Sequence, residues 1–162
     1  MGLDMYLWRK KYGDIYDFKK EYPNCKAKKL TIKITAEFAD GDIKEKEYVI
    51  NEPAEDATIL LPQAYWRKAN AIHGWILRNT VGEDNDNCQP IEIEGNQLVD
   101  LINDCKTVLE DHSKAEKLLP VMEGFFFGSY EYYEWYFEDL ENTIKQLEGI
   151  EPTDSFVYRA SW

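Results

Sequence analysis

His73 is the residue in this sequence best suited to acid–base chemistry. Helical spacing in the segment YWRKANAIHGW places it in one stripe with Trp66 and Asn70. Asp4 is a second polar residue in an otherwise apolar segment, MGLDMYL, and a carboxylate beside an imidazole can position it as a general base. Together with Arg67, these residues predict a ligand pocket that would bind or hydrolyse a small molecule. The alternative is a hydrogen-bonded histidine half buried in the core.

Other catalytic and metal-binding patterns are weak. Cys88 lies near a loop and would need His73 as its base to act as a nucleophile, but nothing in the adjacent sequence would activate its thiol. The run EDNDN resembles a calcium loop, yet position 12 counted from Asp84 is Gly95 instead of Glu. The second of the two histidines, His112, is placed at a helix end, where it would interact with the helix dipole.

The sequence contains no phosphate-binding loop, dinucleotide-binding motif, serine-hydrolase motif or zincin motif. We therefore expect no cofactor and no metal, and a protein that is not an enzyme is favoured. The three cysteines form no CxxC pair, and no stretch approaches the roughly 20 apolar residues of a membrane span. These features predict a cytoplasmic protein with reduced thiols that does not bind membranes.

The formal charge of -12 over 162 residues opposes direct binding to nucleic acid and favours a basic protein as partner. The segment GFFFGSYEYYEWYFEDL contains several of the acidic residues and no basic one. The spacing of its aromatic residues predicts a helix after Ser129 that buries Tyr133 and Tyr136. The opposite side of that helix presents acidic residues around one exposed tryptophan. The candidate partner-binding residues are Glu131, Glu134, Trp135, Glu138 and Asp139. The alternative is a solvated helix face with Trp135 covered by a loop.

Hydrophobic periodicity predicts one α+β domain over residues 1–162. Strands are expected at 3–9, at 30–38 and 43–50 as a hairpin around Asp40-Gly41, near Ile91, and at the C-terminal SFVYRASW. Helices are expected at 63–79, at 96–111 and after Ser129, and residues 11–28 form a long loop or insertion. About three helices would then cover a mainly antiparallel sheet of about five strands.

Two shorter features complete the expectations. Cys105 falls on the apolar side of the predicted helix 96–111, which makes it a core residue. Ser113 and Glu116 have the spacing of a capping box, which predicts a short helix ended or kinked by Pro120.

Four blocks of the chain carry a resemblance: MGLDMYL at residues 1–7, YWRKANAIHGW at 65–75, GFFFGSYEYYEWYFEDL at 124–140 and FVYRASW at 156–162. They resemble a family of small proteins encoded by bacteriophages and prophages. The resemblance implies a phage accessory protein made in the bacterial cytoplasm, and it brings no catalytic residue assignment. Combined with the acidic surface, it suggests a non-enzymatic binder or inhibitor of a host protein. One such inhibitor would block a host-defence system such as CRISPR by occupying a basic nucleic-acid-binding groove.

Overall fold

The computed structural model describes residues 2–13, 30–37, 41, 43–50, 57–124 and 126–162. In these ranges the fold is α+β with mostly antiparallel strand pairing, which confirms the predicted class. Contacts divide the chain into two compact units, one formed by residues 1–11 and 60–162 and the other by residues 12–59. Residues 11–13 of the predicted loop or insertion at 11–28 are instead the end of a strand, and residues 14–28 lie outside the described ranges.

Four strands form the main sheet: β1 (Asp4–Gly13), β4 (Ala57–Arg67), β5 (Ile91–Glu94) and β6 (Ser155–Ser161), in the order β4-β1-β6-β5. β6 runs antiparallel to both β1 and β5. Alternate side chains of β1 and β6 enter the core, as their period-two patterns predict. The buried ones are Leu3, which precedes β1, and Met5, Leu7, Phe156, Tyr158 and Ala160.

The predicted hairpin has the expected arms, β2 (Leu30–Glu37) and β3 (Ile43–Ile50), which pair antiparallel. Gly41 has φ +87, the left-handed conformation that tight hairpin turns favour. Asp40 lies outside the described residues. The expectation that the hairpin belongs to one five-stranded sheet is wrong, because β2 and β3 form a two-stranded sheet of their own.

The described helices are α1 (Asn70–Arg78), α2 (Gly95–Glu110), α3 (Ala115–Leu118) and α4 (Glu134–Gln146), with 3-10 turns at Glu83–Asn85 and His112–Lys114. α2 buries Leu98, Leu101, Cys105 and Val108, which confirms its predicted apolar side. Burial raises the pKa of the Cys105 thiol to about 12, as expected for a core cysteine.

The predicted helix at 63–79 is wrong over its first part, because residues 63–67 belong to strand β4. The spacing of Tyr65, Ala69 and Ile72 fits a helix, but Lys68 has φ +61 and separates the strand from α1. In the strand, Trp66 points into the core while Tyr65 and Arg67 are exposed. Pro62 is compatible with β4 because this strand lies at the edge of the sheet.

Two predicted details at helix ends also need correction. Tyr133 was expected on the buried side of the last helix, but α4 begins at Glu134 and Tyr133 is 67% exposed. The Ser113–Glu116 capping box is not the cap that forms. The carboxylate of Asp111 instead accepts a hydrogen bond from the Ser113 backbone N–H over 3.1 Å.

Candidate binding cleft

A cleft of about 560 Å³ opens in the larger unit where the end of β4 and the start of α1 meet the segment that leads into α4. We call it the β4–α4 cleft. Its charged and aromatic lining comes from two walls. One wall carries Arg67 and Lys68; the other carries Glu131, Tyr133, Trp135 and Asp139. Residues predicted for two separate sites therefore share one cleft.

A buried hydrogen bond holds strand β4, which carries one wall of the cleft, against helix α4, which carries part of the other. Trp66 is 2% exposed, and its indole N–H donates to the Thr143 hydroxyl over 2.8 Å. That hydroxyl in turn donates to the backbone carbonyl of Asp139 over 2.7 Å. Trp66, predicted to line a ligand pocket, is thus a core residue that ties β4 to α4.

Asn70 holds the loop that precedes α4. Its amide nitrogen donates to the carbonyls of Phe127 at 3.1 Å and Ser129 at 2.8 Å, and its amide oxygen accepts from the Met122 N–H at 3.2 Å. Asn70 borders the cleft and is 5% exposed. Because both ends of its amide bind backbone groups, Asn70 positions the loop rather than offering free groups to a ligand.

Asp139 is half-buried in the wall formed by α4. Among the residues that the structure describes, its carboxylate has no hydrogen-bond donor and no ion-pair partner. Burial, with a smaller contribution from the negative charge of Glu138, raises the pKa of Asp139 to about 6. The cleft therefore contains a partly desolvated carboxylate whose charge no described residue neutralises.

Aromatic side chains stand at the same wall. Trp135 is 76% exposed, which confirms its predicted exposure, and Tyr133 is 67% exposed. Trp135 and Asp139 are four residues apart in α4, so their side chains lie on the same side of the helix. Glu134 and Glu138 are exposed on the same helix outside the cleft lining. Of the five predicted partner-binding residues, Glu131, Trp135 and Asp139 line the cleft and these two glutamates flank it.

The opposite wall is cationic. Arg67 ends β4 and Lys68 follows it, and both are exposed. Within the described ranges, neither side chain forms an ion pair or hydrogen bond. The loop approaches this wall closely at Gly128, where an added Cβ would lie 3.1 Å from Lys68 Cβ. The two walls thus carry opposite charges that no salt bridge joins.

His73 lies outside this cleft in the core and is fully buried. Its Nε2 is 3.0 Å from a carboxylate oxygen of Asp86, and its Nδ1 is 2.7 Å from the Tyr158 hydroxyl. Burial lowers the pKa of His73, while Asp86 partly opposes the shift. The neutral imidazole therefore donates from Nε2 to Asp86 and accepts at Nδ1 from the Tyr158 O–H.

The predicted pairing of His73 with Asp4 is wrong. The carboxylate of Asp4 accepts a hydrogen bond of 2.5 Å from the Tyr65 hydroxyl, while His73 uses Asp86. The geometry matches the alternative of a buried, hydrogen-bonded histidine. In the sequence, Asp86 belongs to the run EDNDN, whose only predicted role is that of a calcium loop. A carboxylate 13 positions beyond a buried histidine is too weak a signal to identify the pair from sequence.

Among the described residues, the remaining sequence candidates form no second site. Cys88 is half-buried, and its predicted base has both ring nitrogens engaged by Asp86 and Tyr158. In the part of the chain that the structure describes, no group of three or more His, Cys, Asp or Glu residues could hold a metal ion. None of the described helices has the length and apolar character needed to cross a bilayer.

Comparison of the chain with protein-family models, curated proteins and solved structures gave no match.

Proposed function

We propose that this chain is a phage accessory protein that acts in the bacterial cytoplasm as a non-enzymatic binder of a host protein with a basic surface. One observation carries the proposal: Glu131, Trp135 and Asp139 converge on a cleft whose rim holds a tryptophan that is 76% exposed. A large aromatic ring surrounded by carboxylates is suited to contact a basic protein surface, because the ring supplies apolar area and the charges supply attraction.

The charge of the whole chain supports the same class of partner. A net charge of -12 steers a basic partner toward the protein from outside contact distance and repels nucleic acid. Exposed Trp135 is then the natural anchor, since tryptophan is enriched among the residues that dominate binding energy at interfaces. A CRISPR effector is one class of host protein to test, because its guide–target channel is positively charged.

The alternative of hydrolysis or ligand binding around His73 and Asp4 lacks geometric support. His73 is fully buried and its two ring nitrogens are hydrogen-bonded, while Asp4 is bound to Tyr65. A general base needs a free lone pair within reach of substrate. His73 does not meet that requirement in this arrangement, and Asp4 is not placed to orient it as a base.

The test is charge reversal of the exposed acidic residues around the cleft. The variant Glu131→Lys, Glu134→Lys, Glu138→Lys is compared with a matched control, Asp100→Lys, Glu116→Lys, Glu148→Lys, which changes the net charge equally at exposed positions elsewhere. Each protein is used to capture partners from a bacterial lysate at low and high salt, and the partners are identified by mass spectrometry. Binding is then measured with the purified partner.

We expect the unmodified protein and the control to capture the same basic protein in stoichiometric amount. The cleft variant should not capture this protein. High salt should reduce its capture by the other two proteins, because charge attraction between exposed groups is screened. Equal capture by the cleft variant, or the absence of any stoichiometric basic partner, would overturn the proposal.

A further inference from the structure

We infer that the β4–α4 cleft receives an arginine side chain of the partner, with Asp139 as its counter-charge and Trp135 as the ring on which its guanidinium stacks. The inference rests on the proposed function, since it names the chemical group of the basic partner that enters the cleft.

Asp139 supplies the first argument. A half-buried carboxylate loses part of its hydration, and within the described ranges no cation or hydrogen-bond donor replaces it. Glu138 adds a like charge beside it. A cation that enters the cleft would compensate this charge in a partly desolvated place, where attraction between charges is stronger than in bulk water.

Trp135 supplies the second argument, and it favours arginine over lysine. Its side chain lies one helical turn before Asp139 on the same side of α4, at a separation that one guanidinium can span. A planar guanidinium can stack on an indole and direct its edge N–H groups to a carboxylate, whereas an ammonium acts as a point charge. Tyr133, 67% exposed, provides a second ring at the same rim.

The size of the cleft is compatible with this occupant. A volume of about 560 Å³ falls within the range of small-ligand sites. It can hold an arginine side chain and the adjacent backbone of a partner segment.

The cationic wall provides a test of the charge of the group that enters the cleft. Arg67 and Lys68 repel an incoming arginine, so their removal should strengthen its binding. A ligand that carries a carboxylate, such as a zwitterion, would instead use these two cations and bind less well without them. The same double variant therefore gives opposite results for the two kinds of occupant.

The experiment measures fluorescence anisotropy of a labelled short peptide of alternating arginine and glycine. A peptide with citrulline in place of each arginine is the matched probe, because citrulline keeps the planar shape and removes the charge. The proteins are the unmodified chain, Asp139→Asn, Trp135→Ala, the double variant Arg67→Gln, Lys68→Gln, and the control Asp100→Asn on the exposed side of α2. Thermal unfolding of each variant verifies that it is folded.

We expect the arginine peptide to bind the unmodified protein and the control equally, and the citrulline peptide to bind about tenfold more weakly. Asp139→Asn should weaken arginine binding about tenfold, Trp135→Ala should also weaken it, and the double variant should strengthen it. Equal binding of the two peptides, unchanged affinity of folded Asp139→Asn, or weaker binding by the double variant would each overturn the inference.

The two proposals can fail separately. If charge reversal at Glu131, Glu134 and Glu138 abolishes capture of a basic partner but arginine and citrulline peptides bind alike, the partner-binding function stands and the arginine site is rejected. If no host partner is captured but arginine binding depends on Asp139, the host-binding function is rejected and the recognition chemistry of the cleft stands.

Discussion

Trp66 and Thr143 form a buried hydrogen bond of 2.8 Å that joins strand β4 to helix α4. Because β4 ends in Arg67 and α4 contains Asp139, this bond fixes the elements that bear the two charged walls of the cleft. The hydroxyl of Thr143 is used twice, as acceptor from the indole and as donor to the carbonyl of Asp139.

Thr143→Val should destabilise the protein by about 2 kcal/mol, because valine keeps the shape of threonine but leaves the buried indole N–H without an acceptor. Urea unfolding followed by fluorescence gives the free energy of unfolding. Thr143→Ser keeps the hydroxyl and should cost only about 1 kcal/mol for the lost methyl group. A valine variant as stable as the unmodified protein would show that the hydrogen bond contributes little.

Asp139→Asn should stabilise the protein at neutral pH while it impairs arginine binding. The folded protein raises the pKa of Asp139 from 3.8 to about 6, so between these values the folded state holds a proton that the unfolded state has released. The contribution of Asp139 to the free energy of unfolding therefore falls as pH rises through this window. Asparagine does not titrate and avoids this cost.

After a discount for its partial exposure, we expect Asp139→Asn to gain about 1 kcal/mol at pH 7 and nothing near pH 4. The groups that share the cleft or the adjacent turn, Arg67, Lys68, Glu131 and Glu138, are unchanged, so the difference between the two proteins isolates Asp139. Urea unfolding from pH 4 to pH 8 measures it. A gain that did not depend on pH would contradict a raised pKa.

Asp86→Asn should lower the pKa of His73 further. Burial already holds this pKa below 6.5, and the carboxylate of Asp86 is the group that opposes the shift. The amide oxygen of asparagine can still accept from Nε2, so the fold should persist. NMR titration of the His73 ring protons measures the change.

The lowered pKa of His73 also makes the stability of the protein depend on pH, and the direction follows from the proton uptake of the folded and unfolded states. The folded state disfavours the charged imidazole, so the contribution of His73 is present above pH 6.5 and is lost as pH falls. Asp86→Asn should make this acid loss larger. Asp84→Asn, exposed in the same loop, is the control and should leave the titration of His73 unchanged. A higher His73 pKa in Asp86→Asn would refute the assigned role of the carboxylate.

Gly128→Ala should destabilise the protein by about 2 to 3 kcal/mol and weaken arginine binding. Gly128 has φ +100, and an added Cβ would crowd the backbone carbonyl of Lys68 at 3.2 Å as well as its side chain. Gly149→Ala is the matched control, because it also has positive φ (+74) but nothing within 4 Å of the added Cβ. The control should cost about 1 kcal/mol and leave peptide binding unchanged.

Urea unfolding measures the stability of the two glycine variants, and peptide anisotropy measures their affinity for the arginine peptide. If both variants lost the same stability and both bound peptide normally, the close approach of the loop to Lys68 would have no energetic importance.

Sequence periodicity predicts those helices and strands whose buried side is set by the spacing of their own apolar residues. α2 follows from the spacing of Leu98, Leu101 and Cys105, and β6 from the alternation of Phe156 and Tyr158. β4 was missed because its apolar spacing also fits a helix over this stretch. The decisive features, the positive φ of Lys68 and the bond between Trp66 and Thr143, depend on backbone conformation and on a residue 77 positions away.

The residues that form the cleft could likewise be identified from the sequence only one by one, without their convergence. Arg67 and Asn70 were predicted for one site, and Glu131, Trp135 and Asp139 for another, and each residue type suited its predicted chemistry. Their convergence depends on the loop that Asn70 holds through three backbone hydrogen bonds. Such long-range contacts leave no periodic trace in a single sequence, and the same reason hid the partnership of His73 with Asp86.

The pairing of β1 with β6 has a consequence for synthesis. Met5 lies opposite Ala160, so the centre of the main sheet joins segments made at widely separated times during translation. Until β6 leaves the ribosome, Met5 and Leu7 lack this partner strand, and their apolar side chains remain available to chaperones or to other nascent chains. Closing so long a loop also slows folding. The nascent protein is therefore exposed to aggregation until β6 has been synthesised and can pair with β1.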